Sequence, residues 1–102
     1  IQFMLADMEI GVETARQMII HTLQLAEAHM PYSREAAIAK CYAGDVAFKN
    51  ASDAVQILGG YGYSREYPVE KLLRDSKILQ IYEGTNQVQR VVISGQVLAR
   101  YR

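Results

Sequence analysis

An all-α fold, an antiparallel four-helix bundle, follows from three features of the 102-residue sequence. Apolar residues recur at alternating steps of three and four, turn residues interrupt that period, and no stretch shows the strict alternation of a half-buried strand. From the start to about His29 the apolar stripe is Leu5, Met8, Val12, Ala15, Ile19, Thr22 and Ala26, with Glu13, Arg16, Gln17 and Glu27 on the polar side. Pro31 is expected to end this helix and Ser33 to cap the next. A second helix over Ser33–Leu58 carries Ala37, Cys41, Gly44, Phe48, Ala51, Val55 and Leu58 on its buried side. Small residues there allow a neighbouring backbone to come close, which Gly44 requires to offset the roughly 1 kcal/mol that glycine costs in a helix.

Gly59 and Gly60 stop the second helix, because glycine takes up positive φ without strain. Pro68 suits the first turn of a third helix with Val69, Leu72 and Leu73, Glu70 near its positive end and Arg74 and Lys77 near its negative end. Ile78, Leu79 and Ile81 extend the apolar signal to Gly84. Thr85 then caps a last helix whose stripe is Val88, Val91, Val92, Gly95 and Leu98.

Eleven Lys and Arg balance eleven Asp and Glu, so the chain lacks the positive field that nucleic-acid binding draws on. No apolar run approaches the roughly 20 residues that cross a bilayer, and Ile1-Gln2-Phe3 has no basic leader character. A lone Cys41 cannot form an internal disulfide and suits a reducing compartment, with the cytoplasm as the default or the mitochondrial matrix in a eukaryote. The start, without Met and without a cap in front of its first helix, suggests a piece of a longer protein.

Glu83 lies between Tyr82 and Gly84, just before the last helix begins. Two roles fit it. In an apolar pocket its carboxylate would be driven toward the pKa of a base working near neutrality; more commonly, an acid here simply favours the positive end of a helix. Gln56-Ile57-Leu58-Gly59-Gly60 is first of all a helix stop and secondly bare backbone that a phosphate or a neighbouring chain could approach, whereas a Rossmann phosphate fingerprint is excluded because the order is helix then loop. His21 and His29 lie eight apart on one helix with no further ligand at metal spacing, so no metal site is expected. Cys41 reads as a packed, inert thiol and Arg74-Asp75 as an ion pair. Tyr61, Tyr63 and Tyr67 suit either an interface or the cover of the bundle's end.

Gln56-Ile57-Leu58-Gly59-Gly60-Tyr61-Gly62-Tyr63, Glu66-Tyr67-Pro68-Val69-Glu70-Lys71, Leu73-Arg74-Asp75 and Ile81-Tyr82-Glu83-Gly84-Thr85-Asn86-Gln87-Val88-Gln89-Arg90 follow one another in the order and spacing of the acyl-CoA dehydrogenase family. The chain resembles the C-terminal helical domain of that family over essentially its whole length. The resemblance implies a parent with an N-terminal helical domain and a middle β domain, neither present here, binding FAD and an acyl-CoA thioester. It implies that Glu83 is the base that removes the α proton while the β hydrogen leaves as hydride to the flavin. The backbone N–H of Glu83, with a flavin ribityl hydroxyl, would hydrogen-bond the thioester carbonyl. Tyr82 would lie beside the acyl chain and Gly84 would leave room for it.

The resemblance also implies that Gln56, Ile57 and Gly60 contact the ADP part of a neighbouring subunit's FAD, and that Thr85 and Gln87 are further FAD contacts. FAD clasped between subunits implies a homo-oligomer, in this family a tetramer, and electron-transfer flavoprotein is the implied electron acceptor. Glu83 in Tyr-Glu-Gly-Thr differs from the branches that carry the carboxylate on an earlier helix or use Asp. The wording around Gly60–Tyr63 and Thr85–Gln89 is nearest to short-chain, butyryl-type members. An acyl-CoA oxidase parent, or a noncatalytic helical oligomerisation module with no pocket beside Glu83, are the alternatives.

Overall fold

The computed structural model describes residues 1–59, 68–82 and 84–101. Those residues form four α-helices and no strand: α1 (Gln2–Glu27), α2 (Ser33–Leu58), α3 (Pro68–Lys77) and α4 (Asn86–Arg100), with a short 3-10 helix at Ile78–Gln80 between α3 and α4. The molecule is elongated, 51 × 24 × 24 Å. Its centre is α2, on which α1, α3 and α4 each pack.

The helix directions can be read from the paired residues. Asn50 Nδ2 donates to the Met8 carbonyl and Gly11 lies against Val46, so numbers rise along α1 as they fall along α2. Lys77 stands 5.0 Å over the Phe48 ring and Gly44 abuts Leu79, so the α3 segment is also antiparallel to α2. Cys41 and Asp45 meet Asn86 and Arg90 respectively, so α4 runs parallel to α2. The result is the up-down-up-down order of an antiparallel four-helix bundle.

Several local expectations need correction. α1 ends at Glu27, before Pro31 acts: His29, at φ 57°, takes the left-handed position while the His29 N–H donates to Ala26 O and the Met30 N–H to Leu25 O. That pair of bonds is a Schellman stop, and it takes His29 off the helix that carries His21. Tyr32, not Ser33, is the N-cap of α2, and no side chain caps it; Glu35 favours the positive end instead. Gly59 closes α2 at φ 61°, ψ −135°, with the positive φ expected of it. Arg74 pairs with Glu70 at 2.9 Å and Asp75 with Lys71 at 4.0 Å, both one helical turn away, rather than with each other.

Two stripes are also displaced. On α1 the covered seam is Met4, Met8, Gly11, Ala15, Met18, Thr22 and Leu25, whereas Leu5, Val12 and Ile19 are exposed. Gly11 lies in that seam: a Cβ there would stand 3.1 Å from Val46 Cγ1, so a side chain at this position would crowd α2. On α4 the covered positions are Asn86, Gln89 and Ile93, while Val88, Val91, Val92, Gly95 and Leu98 face outward, Val91 at 69 % exposure. α2 carries the buried residues Ala37, Ala39, Cys41, Gly44 and Val55; Phe48 and Ala51 are half-buried and Leu58 is exposed. The buried apolar side chains among the described residues are those of Ala, Cys and Val. Among the described residues no helix is long and apolar enough to cross a membrane.

Candidate functional site

The turn between the 3-10 helix and α4 is fixed by its own backbone chemistry. Thr85 has φ −62°, ψ 160°, and its Oγ1 accepts the Val88 N–H at 3.1 Å, the expected N-cap bond. Its carbonyl accepts the Gln89 N–H at 2.9 Å. Gly84, at φ 90°, occupies a conformation that side chains avoid, and a Cβ there would stand 2.8 Å from Gln89 Nε2. Gly84 is thus required by the turn itself, before any ligand is considered.

α2 then grips this turn through polar groups. Asn86, 3 % exposed, donates from Nδ2 to the Cys41 carbonyl at 3.1 Å and to Asp45 Oδ1 at 2.6 Å. Gln80 Nε2 donates to the same Asp45 oxygen at 2.9 Å, and Arg90 Nη2 donates to Asp45 Oδ2 at 2.9 Å. Asp45 therefore gathers the 3-10 helix, the first residue of α4 and the next turn of α4 onto one carboxylate. Burial acts to raise the Asp45 pKa, but donation from Arg90, Asn86 and Gln80 outweighs it and holds the carboxyl below its usual range. From the other side, Lys40 Nζ donates to the Gly84 carbonyl at 2.8 Å and to Asn86 Oδ1 at 3.3 Å.

Beneath the turn, Lys40, Ala43, Gly44, Leu79 and Tyr82 line an open, mostly apolar cavity of about 310 Å³. At its edge Gly44 lets the 3-10 helix pack close to α2, since a Cβ at that position would come to 3.1 Å from the Leu79 carbonyl oxygen. Cys41 is buried nearby with Sγ 3.9 Å from Asn86 O, and burial pushes its thiol pKa up, against the pull of the Arg90 charge. A protonated, enclosed thiol is a packing group rather than a nucleophile. Among the described residues no group of three or more His, Cys, Asp or Glu gathers at metal-binding range.

Tyr82, Gly84, Thr85 and Gln87 come together in this turn and the start of α4, with Tyr82 and Gln87 exposed. Gln56 and Ile57 do not join them: they lie on the last turn of α2, fifteen and sixteen residues beyond Cys41, about 22 Å along the helix axis. Glu83, Gly60, Tyr61, Tyr63 and Tyr67 lie outside the described residues. Lys40 and Asp45 escape sequence reasoning because neither falls in an apolar period or a spacing motif, and the polar face of a helix ordinarily signals only solvent.

Comparison with known proteins agrees with this architecture. A family model described as acyl-CoA dehydrogenase, C-terminal domain, matches residues 1–98. The acyl-CoA dehydrogenase of Bacillus subtilis (strain 168) is 52% identical over 98 residues, which cover 96% of this chain and 26% of that protein. The structure of butyryl-CoA dehydrogenase from Megasphaera elsdenii superposes with a TM-score of 0.92 at 49% identity, over 95% of this chain and 25% of that one. A chain in a structure of the electron transferring flavoprotein of Acidaminococcus fermentans gives a TM-score of 0.93 at 54% identity, over 95% and 26%. The chain spans about a quarter of the length of the curated relatives it matches.

Proposed function

The chain belongs to the acyl-CoA dehydrogenase family, and we propose that residues 1–102 form the C-terminal helical domain of a larger flavoprotein that dehydrogenates acyl-CoA thioesters between their α and β carbons. The N-terminal helical and middle β domains belong to the remainder of that parent. The observation that carries the proposal is that the residues on either side of Glu83 in sequence are committed: Gly84 and Thr85 are pinned, and Tyr82 lines an apolar cavity. A noncatalytic assembly module has no need of such a cavity at that place.

The role of Glu83 is to take the α proton of the thioester on its side-chain carboxylate. An acyl chain lying along Tyr82 excludes water, and desolvation raises the basicity of a carboxylate. The Glu83 backbone N–H donates to the thioester carbonyl, stabilising the negative charge that develops there as the proton leaves. Gly84 leaves the approach to this position open. FAD, when bound, supplies the acceptor for the β hydride.

The residues present fit that group. Gln56 and Gln87 have exposed carboxamides that make no hydrogen bond among the described residues. The Thr85 hydroxyl accepts from Val88 N and so keeps its own hydrogen to donate. Among the described residues nothing stands within 4 Å of where a Cβ at Gly59 would be, which leaves bare backbone there for a ligand. Thr85 and Gln87 would hold FAD beside the turn, and Gln56, Ile57 and Gly60 the ADP part of a neighbouring subunit's FAD. The 22 Å along α2 between these sets supports their serving different flavins in a homo-oligomer, which we take to be a tetramer. The exposed apolar faces of α1 and α4 support such an assembly.

The likeness to butyryl-CoA dehydrogenase supports a short acyl chain, the likeness to a chain in a structure of an electron transferring flavoprotein supports that protein as the electron acceptor, and the bacterial origin of the relatives supports the cytoplasm as the place of action. The full-length protein should purify yellow and its flavin should bleach when butyryl-CoA is added without oxygen. Retention of the oxidised spectrum with every acyl-CoA tried would refute the assignment. Peroxide formed in air at the rate of turnover would move the parent to the oxidases. Residues 1–102 alone should be colourless and inactive.

A further inference from the structure

We propose that Lys40 on α2 is a positioning residue for the start of α4: by holding the Gly84 carbonyl, it fixes the backbone that immediately follows the base in sequence. This rests on Glu83 being the base. The geometry singles Lys40 out. Its ammonium donates to Gly84 O at 2.8 Å and is itself seated by Asn86 Oδ1 at 3.3 Å, forty-four and forty-six positions away in sequence. The lysine stem simultaneously forms part of the cavity wall with Ala43, Gly44, Leu79 and Tyr82. One side chain therefore touches both the cavity and the backbone that follows the base.

Stability does not account for the arrangement. Gly84 is exposed, so water would satisfy its carbonyl at little loss, while fixing a lysine side chain sacrifices rotamer freedom. Lys40 makes no ion pair among the described residues, and the position one turn on, where a partner would stand, is Gly44. Asp45 takes Asn86, Gln80 and Arg90, which fixes the start of α4 and leaves the lysine for the backbone ahead of it. What the Lys40 contact supplies is a fixed backbone. Gly84, whose φ of 90° would otherwise give the turn considerable freedom, is tied from its carbonyl end.

The test uses the full-length flavoprotein with Lys40→Met, which keeps the stem and removes the donor, and Lys40→Arg, which restores a cationic donor. Peptide-level deuterium exchange without substrate should quicken at least about fivefold over residues 84–90 in K40M while α1 stays unchanged. With butyryl-CoA, kcat should fall about tenfold with KM within about twofold of wild type, flavin occupancy should be unchanged, and K40R should recover most of both losses. Wild-type exchange over 84–90 in K40M, or a change in KM without one in kcat, would overturn the proposal. Should K40M fail to hold FAD, Lys40→Gln is carried through the same two measurements with the same criteria. A wild-type protein that never reduces its flavin would break the assignment of the base instead, and the exchange result would still decide whether Lys40 anchors the turn.

Discussion

The two sides of α2 join their neighbours by different means. Toward α1 the contact is apolar and built on absent side chains: Gly11 sits against Val46, and the Asn50 bond to Met8 O is the polar tie seen there among the described residues. That side even leaves a groove of about 510 Å³ along Val12, Ile19, Ala43 and Ala47. Toward α4 the contact is polar, with Lys40, Asp45 and the Cys41 carbonyl engaging Gly84, Asn86, Gln80 and Arg90. Apolar packing is nondirectional and tolerates a helix sliding by a fraction of an ångström; a set of hydrogen bonds on one carboxylate does not. The polar side is the one that borders Tyr82 and Gly84, where the proposed chemistry needs precise placement.

The comparison predicts unequal responses to mutation, each measured as local stability by amide exchange in the full-length protein. Asn86→Ala should be the most damaging, destabilising the first turn of α4 by about 2–3 kcal/mol, because it removes a buried amide that bonds both the Cys41 carbonyl and Asp45 and leaves an unfilled space in its place. An equal loss in α1 would mean that the two sides are not separable. Gly44→Ala should cost about 1–2 kcal/mol, since its Cβ meets Leu79 backbone, which cannot rotate away. Gly11→Ala meets only the Val46 side chain and should cost under about 1 kcal/mol; a loss as large as that of G44A would show the α1 side to be equally rigid. Gly95→Ala, with nothing within 4 Å, should gain up to about 1 kcal/mol from helix propensity.

Acid should have the smallest effect. Because the folded Asp45 carboxyl lies below its ordinary 3.8, its contribution is complete above that pH and is lost as pH falls through the depressed value. The carboxylate is partly exposed and its pair with Arg90 is screened, so the loosening should be slight and confined to α4. Asp45→Asn should abolish this pH dependence; its persistence would place the titrating group elsewhere.

Much of the fold was legible because it rests on local chemistry. The span of α2, the proline at the start of α3, the positive φ of Gly59 and the Thr85 cap each depend on a residue type and its immediate neighbours. Which stripe is covered depends on distant partners. Apolar periodicity gave Val88, Val91 and Val92 as buried, yet α2 meets α4 through Asn86, Gln89 and Ile93. Gly11, where a side chain would crowd α2, stands one place from the apolar Val12 that periodicity preferred. Of the site, the residues after Ile81 were visible as a motif, whereas Lys40 and Asp45 acquire their roles only when α2 is set beside the turn.

The most direct measurement replaces Glu83 with Gln in the full-length protein, keeping size and hydrogen bonding while removing the base. FAD should remain bound, and the rate of flavin reduction by butyryl-CoA should fall at least about a thousandfold. Reduction at close to the wild-type rate would contradict the account, since the proton would then be leaving to some other group.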